Sequence, residues 1–216
     1  RAARPDRPDA RAADLAIPAP PPPAARRFAA SALGGRDDGA MLEGPSHDRA
    51  VARARGDLVH LLIETLAETP DRDDLLARHG AAVPPDLRAG CLAEATAALA
   101  LPDLAPFLGP DSLAEAGLSV TLPELGGRLT GRIDRLAILP DRIELLDFKT
   151  GRAPGPGDPA PDAYLRQLAA YRAALGRLHP GLPVRAHLLW TAVPRIDRQP
   201  DAALDAAWAR LIAGPV

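Results

Sequence analysis

The chain has 216 residues, of which 47% are hydrophobic, 25% are charged and only 3% are aromatic, and its formal net charge is -2. This length and composition suit one globular domain whose core consists mostly of aliphatic side chains. A charge so close to zero excludes a protein that attracts nucleic acid through bulk positive charge, so any nucleic acid must be gripped locally or delivered by a partner.

Cysteine usage and targeting signals narrow the class further. Cys91 is the only cysteine, which excludes an intrachain disulfide framework and leaves no cysteine set for zinc or for an iron–sulfur cluster. The sequence has no apolar run of about 18 residues and no signal peptide, so we expect a cytoplasmic protein without a membrane partner. Because the chain begins at Arg1 and its one methionine is Met41, we interpret it as part of a longer polypeptide.

Residues 1–49 differ in composition from the rest of the chain. They are rich in Ala, Pro, Arg and Asp, and they include the run "IPAPPPPAARR" at 17–27. A proline run favours an extended polyproline II strut over a packed element. We interpret 1–49 as a flexible linker to an upstream domain, with a plain disordered tail as the alternative, and we place the folded domain at 50–216.

Helical periodicity opens the predicted domain. The stretch 55–68 repeats apolar residues at helical spacing, and Asp57 is a candidate N-cap. His60 and Glu64 fall together on the opposite face of that helix. Two more helices are predicted at 71–79 and 86–100, separated by Pro84 and Pro85.

The period then changes from helical to alternating. Strands are predicted at 118–122, 128–139 and 142–148, with a turn at Pro140-Asp141 between the last two. A Pro- and Gly-rich loop follows at 151–161. The remaining predicted elements are a helix at 162–178, a strand at 184–191 and a helix at 201–212. This order predicts a mixed α/β domain.

The hairpin at Pro140-Asp141 brings two acidic residues together. A turn there pairs Leu139 with Arg142, and the same register places Asp134 opposite Asp147, with the two Cβ atoms roughly 5 Å apart. Alternation along 142–148 puts Lys149 on the same face as Asp147. The sequence therefore predicts two carboxylates and one ammonium group at one sheet edge.

Like charges placed opposite each other destabilise a sheet, and a divalent cation would offset that repulsion. Mg²⁺ takes oxygen ligands and typically uses one or two carboxylates together with substrate phosphate. Lys149 is the only lysine among 26 basic Lys and Arg residues. A compact ammonium can assist a water nucleophile, whereas arginine stays protonated and presents a wide planar fork. The alternative is a structural Asp147–Lys149 ion pair on a solvated strand end, with Asp134 paired to an arginine.

Several motifs in order resemble one known family. These are "RGDLVHLLIE" (55–64), "GRIDRL" (131–136), "LLDFKTG" (145–151), "QLAAY" (167–171) and "HLLWTAVPRI" (187–196). Together they resemble the RecB-like branch of the PD-(D/E)xK nuclease superfamily, and the last resembles the end of the nuclease domain in AddA-type helicase–nuclease subunits. The resemblance covers roughly 50–216. It implies a restriction-endonuclease-like α/β core, with a mixed central sheet flanked by helices and additional N-terminal helices.

The resemblance also implies roles for individual residues. Asp134 and Asp147 resemble the metal-ligand aspartates, and Lys149 resembles the catalytic lysine. His60 resembles the histidine that also reaches the metal in this branch, although a surface histidine is the simpler interpretation of the helix alone.

Four other residues carry weaker assignments. Gln167 and Tyr171 resemble a pair beside the active site and near the DNA, and their i, i+4 spacing puts them on one helical face. The alternatives are a solvated Gln167 and a core Tyr171. Thr150 is a candidate phosphate contact. Glu115 is a candidate acidic site residue, with a solvated strand-end glutamate as the commoner alternative.

The implied function is a Mg²⁺- or Mn²⁺-dependent DNA exonuclease domain that acts in double-strand break repair and cuts the strand ending 3′. The implied partners are single-stranded DNA delivered by a motor, an upstream helicase domain and an AddB-type subunit, which would place the protein at the nucleoid. The chain has no P-loop motif, so it is not itself an ATP motor. The alternatives are a stand-alone RecB-like nuclease and a non-catalytic DNA-binding or scaffold module.

Overall fold

A computed structural model describes residues 26–33, 46–67 and 72–214. The strands are β1 (Arg26–Ala29), β2 (Ser112–Leu122), β3 (Gly127–Ile138), β4 (Ile143–Lys149), β5 (Val184–Trp190) and β6 (Arg195–Arg198). The α-helices are α1 (Ala30–Leu33), α2 (Ser46–Leu66), α3 (Arg72–His79), α4 (Pro85–Leu99), α5 (Asp162–Leu178) and α6 (Asp201–Ala213). Short 3₁₀ turns lie at Gly80–Ala82, Pro102–Phe107 and Pro123–Leu125.

The predicted fold class is confirmed, since the described elements form a six-stranded mixed sheet flanked by helices, as in restriction-endonuclease-like proteins. The predicted helix at 162–178 has the bounds of α5. Helix α2 begins at Ser46, well before the predicted start near residue 55, with Asp48 in its first turn. A negative charge there favours the positive end of the helix dipole, which supports an early start.

The structure corrects the linker prediction for residues 26–33, which form β1 and α1 instead. Phe28, Ala30 and Leu33 are buried in the core. The sequence pattern did not predict this strand because β1 has only four residues, with a single buried apolar side chain. Its partner β3 also lies about a hundred positions away in the chain. Residues 46–49 belong to α2, while 1–25 and 34–45 lie outside the described residues.

Strand β3 lies at a fork in the sheet. On one side, its residues 127–130 pair in parallel with β1, and its residues 135–138 pair antiparallel with β4. Its other side pairs with β2 along most of its length. On the side that faces β1 and β4, residues 131–134 lie between the two ladders. Backbone groups of 131–134 that point to this side therefore pair with neither β1 nor β4. Strand β4 continues in parallel to β5, which pairs antiparallel with β6.

Two apolar clusters cover the faces of the sheet unequally. The first cluster packs α1, α5 and α6 against β2, β3, β4 and β5, and it includes Leu129, Ile133 and Tyr171. The second packs α2 and α4 against β4 and β5 through residues such as Leu146 and Phe148. Helix α2 therefore approaches the sheet close to the fork of β3.

Candidate active site

Asp134 and Asp147 meet at the fork. The predicted hairpin register is confirmed from Ile138 opposite Ile143 up to Arg135 opposite Leu146, and the backbone of Leu139 bonds Arg142 across the predicted turn. The ladder ends one step before the two aspartates. The N–H of Phe148 instead donates to Oδ2 of Asp134 at 2.5 Å. The fork thus fixes the Asp134 carboxylate on the backbone of the strand that carries Asp147.

A buried polar triangle holds the lysine. Nζ of Lys149 lies 2.9 Å from Oδ2 of Asp147 and donates to Oε1 of Gln167 at 3.1 Å. Nε2 of Gln167 donates to Oδ1 of Asp147 at 3.2 Å. All three residues are less than a tenth exposed. Gln167 therefore bridges both charged groups, while Oδ2 of Asp147 is buried without a hydrogen-bond partner among the described residues.

The aromatic ring of Tyr164 forms one wall of the lysine site. Nζ of Lys149 lies 4.2 Å from the centroid of that ring, a separation at which the negative face of a π system attracts a cation. Tyr164 packs in turn against Trp190, with the two centroids 6.0 Å apart. Sequence reasoning did not select Tyr164, although it stands one helical turn before Gln167 on α5.

Helix α2 delivers His60 to the same place. Nδ1 of His60 lies 3.6 Å from Oδ1 of Asp134, and the ring contacts Phe148 edge-on with the centroids 5.3 Å apart. Burial opposes protonation of His60, but hydrogen bonding and attraction to Asp134 outweigh it and raise the pKa of the imidazole. The structure therefore brings His60 and Asp134 together.

Burial raises the pKa of the Asp147 carboxyl. Desolvation raises the pKa of this carboxyl to about 6; Lys149 opposes the shift and the charge of Asp134 adds to it. A buried carboxylate beside a second carboxylate is destabilised in its charged form. An added cation would lower that cost, so the site is suited to binding positive charge.

A second pair of carboxyl groups lies at the rim. Burial raises the pKa of Glu64, one turn after His60 on α2, to about 7, and the neighbouring Glu115 adds to the shift. Glu115 accepts a hydrogen bond from Arg132 at 2.5 Å. It adopts a left-handed backbone with φ of 50°, which is uncommon for a residue other than glycine and breaks the β2 ladder. Glu64 was noticed in the sequence but not assigned to the site.

The side chains enclose a cleft of about 300 Å³. The predicted residues His60, Asp134, Asp147, Lys149, Gln167 and Tyr171 line it, together with Ala29, Ser31, Thr130, Gly131, Arg132 and Phe148. The hydroxyl of Tyr171 donates at 2.6 Å to the carbonyl of Arg132, one of the backbone groups left unpaired at the fork. Burial raises the pKa of this phenol, so Tyr171 is both a core residue and a wall of the cleft.

Two predicted site residues lie outside the lining of the cleft. Glu115 sits at the rim against Arg132. Thr150 is half-buried against α2, where a Cβ added to Gly56 would come within 3.0 Å of its hydroxyl oxygen. Thr150, which directly follows β4, therefore packs against helix α2.

The donor set fits a hard divalent cation in kind, with carboxylates from Asp134 and Asp147 and an imidazole from His60. Among the described residues, no group of three His, Cys, Asp or Glu side chains is arranged to hold a metal ion by itself. Mg²⁺ is commonly bound by one or two carboxylates while it keeps several waters, so a complete protein cage is not required. Substrate phosphate would complete such a site.

The chain matches one known protein family over most of its length. The family model of the PD-(D/E)XK nuclease superfamily matches residues 25–212. The chain belongs to the PD-(D/E)XK nuclease superfamily, whose members are nucleases that generally use Mg²⁺ or Mn²⁺. The match begins at residue 25, which agrees with the inclusion of β1 and α1 in the fold.

Other comparisons add little. No curated protein matches the chain. Among solved structures, the crystal structure of SSO0001 is similar at a TM-score of 0.34 and 14% identity, covering 74% of this chain and 73% of that one. A likeness this distant carries no argument about function. In the part of the chain that the structure describes, no helix is both long and apolar enough to cross a bilayer.

Proposed function

We propose that this chain is the metal-dependent DNA exonuclease domain of an AddAB-type helicase–nuclease that processes double-strand breaks for recombinational repair. One observation carries the nuclease assignment: Asp134, Asp147 and Lys149 converge at the fork of the sheet, and Gln167 bridges the last two. The motifs at 55–64, 131–136 and 145–151 support a RecB-like nuclease, and the motif at 187–196 supports the AddA-type context.

Asp134, Asp147 and His60 would hold Mg²⁺ or Mn²⁺. A divalent cation bound there would lower the pKa of the attacking water and would stabilise negative charge on the phosphate oxygens. The buried setting of Asp147 strengthens its attraction for positive charge, since little water screens it. The N–H of Phe148 holds one oxygen of Asp134 and leaves its other oxygen directed toward His60.

Lys149 assists the attacking water in the in-line hydrolysis of a phosphodiester. Its ammonium is a compact charge that Asp147, Gln167 and the ring of Tyr164 hold in one position. An arginine would need a wider planar space and could not release a proton. The buried triangle has room for the one lysine of the chain, which accounts for its presence among so many arginines.

The proposed substrate is a single strand that a motor delivers to the cleft. A net charge of -2 fits a domain that receives DNA from a partner better than one that captures it from solution. The proposed partners are an upstream helicase domain and an AddB-type subunit. The proposed location is the nucleoid. The same site would also serve in a stand-alone RecB-like nuclease.

End-labelled DNA tests the proposal. The purified chain is incubated with linear and circular single-stranded DNA in Mg²⁺ or Mn²⁺, and parallel samples contain EDTA. We expect stepwise, metal-dependent shortening of the linear strand from its 3′ end and no cutting of the circle. Cutting of the circle would contradict exonuclease action, and cutting that persists in EDTA would contradict a metal-dependent site.

A second assay tests the helicase–nuclease context. The chain is joined to an AddA-type helicase and combined with an AddB-type subunit, and degradation of double-stranded ends is followed with and without ATP. The proposal predicts that ATP strongly increases the rate. Equal rates with and without ATP would favour the stand-alone nuclease.

A further inference from the structure

The first half of strand β3 has one covered face and one exposed face. Leu129 and Ile133 point into the first apolar cluster and are fully buried. Arg128 and Arg132, on the other face, are exposed, and Thr130 between them is half-buried. Helices α2 and α4 cover that second face over β4 and β5 but not over the first half of β3.

The neighbouring strands extend this exposed face on both sides. One row of paired residues consists of Arg27 on β1, Arg128 on β3 and Thr121 on β2. The next row consists of Ala29, Thr130 and Ser119. We call the resulting surface the basic face: Arg27, Ser119, Thr121, Arg128, Thr130 and Arg132.

The two arginines of the first row have no evident structural role. Arg27 and Arg128 lie directly opposite each other, an arrangement of like charges that destabilises a sheet. Neither forms an ion pair with any described residue, whereas Arg132 is paired with Glu115. Several other arginines do have acidic partners, among them Arg172 with Asp205, Arg177 with Glu124 and Arg210 with Asp162. An anionic ligand would relieve the repulsion in the sheet.

The basic face runs into the cleft. Side chains alternate along a strand, so Asp134 lies on the same face of β3 as Arg128 and Arg132. At about 3.3 Å per residue, Arg128 lies about 20 Å from Asp134, a distance of a few nucleotides along an extended strand. Thr130 and Arg132 of this face also line the cleft.

We propose that the basic face binds the phosphate backbone of single-stranded DNA and leads it to the carboxylates. The inference rests on the proposed nuclease function and names the path of its substrate. Arginine forks match phosphate geometry, and Ser119, Thr121 and Thr130 supply hydroxyl donors to backbone oxygens. Such contacts position the strand without reading its sequence.

Binding of a labelled oligothymidine, measured by fluorescence anisotropy in EDTA over a series of salt concentrations, tests this path. The variant Arg27→Ala/Arg128→Ala is compared with Arg185→Ala/Arg210→Ala, which carries the same change in net charge on other surfaces. We expect the first variant to lose about ten- to a hundredfold in affinity at low salt. Its slope of log affinity against log salt should fall by about 1.4, since each neutralised phosphate contributes about 0.7.

The outcomes separate this proposal from the nuclease assignment. Equal DNA binding by both double variants would show that the basic face is not the DNA path and would assign it to a protein contact. This conclusion would hold even if the chain cleaves DNA. A parent chain that fails to bind at low salt would also overturn it. Selective loss in Arg27→Ala/Arg128→Ala supports the path, and it would do so even if the parent proved unable to cleave DNA.

Discussion

The side-chain oxygen of Gln167 accepts a hydrogen bond from the ammonium of Lys149 at 3.1 Å, across a buried boundary between α5 and β4. The same side chain donates to Asp147. One side-chain amide therefore holds Lys149 and Asp147 at a fixed separation. Its place on α5 ties the geometry of the site to the packing of that helix.

Removal of this amide should impair catalysis without unfolding the chain. We expect Gln167→Ala to lower kcat about ten- to a hundredfold, as is typical when a group that orients metal ligands is lost. Gln199→Ala is the matched control, because Gln199 is also a buried glutamine but bonds the carbonyl of Asp197 away from the cleft. Single-turnover cleavage measures the effect, and equal rates for the two variants would contradict it.

The ring of Tyr164 should contribute through its π face rather than its hydroxyl. Tyr164→Phe keeps the ring beneath Lys149, whereas Tyr164→Leu removes it. A cation–π contact is worth about 0.5–2 kcal/mol, so kcat of the leucine variant should fall about 2- to 30-fold with little change in KM. The phenylalanine variant should retain activity near that of the parent. Equal losses in both variants would assign the effect to the hydroxyl.

Gly131 lies where Tyr171 approaches the backbone of β3. A Cβ added there would come within 2.8 Å of a ring carbon of Tyr171 and 2.9 Å of the Cβ of Ala30. We expect Gly131→Ala to destabilise the fold by about 1–3 kcal/mol through overpacking, and to reduce cleavage because Tyr171 must move. Gly176→Ala on α5 meets nothing within 4 Å and is the control. Urea unfolding measures both, and a neutral Gly131→Ala would contradict the close contact.

The rim carboxyls should make stability of the metal-free chain depend on pH. The pKa of Glu64 rises from 4.5 to about 7 on folding, so the folded state keeps a proton that the unfolded state loses across that window. The contribution of Glu64 to stability therefore falls as pH rises from 4.5 to about 7. Glu64→Gln should be more stable than the parent at pH 8 by about 1–2 kcal/mol, less than the full shift implies because the group is half-buried.

Urea unfolding of both proteins in EDTA across this pH range measures the difference. The gain should vanish below pH 4.5, where both states of the parent are protonated at this position. Glu124→Gln, an exposed carboxyl paired with Arg177, is the control and should not change the pH dependence. A constant difference between Glu64→Gln and the parent at all pH values would contradict the assigned cause.

Local rules predicted several spatial relationships within the candidate site. The two-residue turn set the register of the hairpin, and alternation put Asp147 and Lys149 on one face, as the ladder and the 2.9 Å ion pair show. Helical spacing put Gln167 and Tyr171 on one side of α5, and both line the cleft. These relationships depend on residues near one another in the chain, so periodicity is enough to find them.

Relationships between distant segments were not accessible in the same way. Strand β1, which pairs with β3, has a single buried side chain, Phe28. The composition around it is typical of a linker. The raised pKa values of Glu64 and Asp147 arise from burial, which no spacing rule gives. Tyr164 was the exception, because it shares a helical face with Gln167 and Tyr171 and the same spacing argument would have found it.

The assignment of Asp134, Asp147 and Lys149 to a nuclease site is tested by cleavage of single-stranded DNA in Mg²⁺ or Mn²⁺. The proteins compared are the parent, Asp134→Asn, Asp147→Asn and Lys149→Arg. We expect metal-dependent cutting by the parent and a loss of at least about a hundredfold in each variant, with Arg185→Ala unaffected. Cutting by Lys149→Arg at the rate of the parent would contradict the role given to the one lysine. Undiminished cutting by all three site variants would show that the chemistry lies elsewhere.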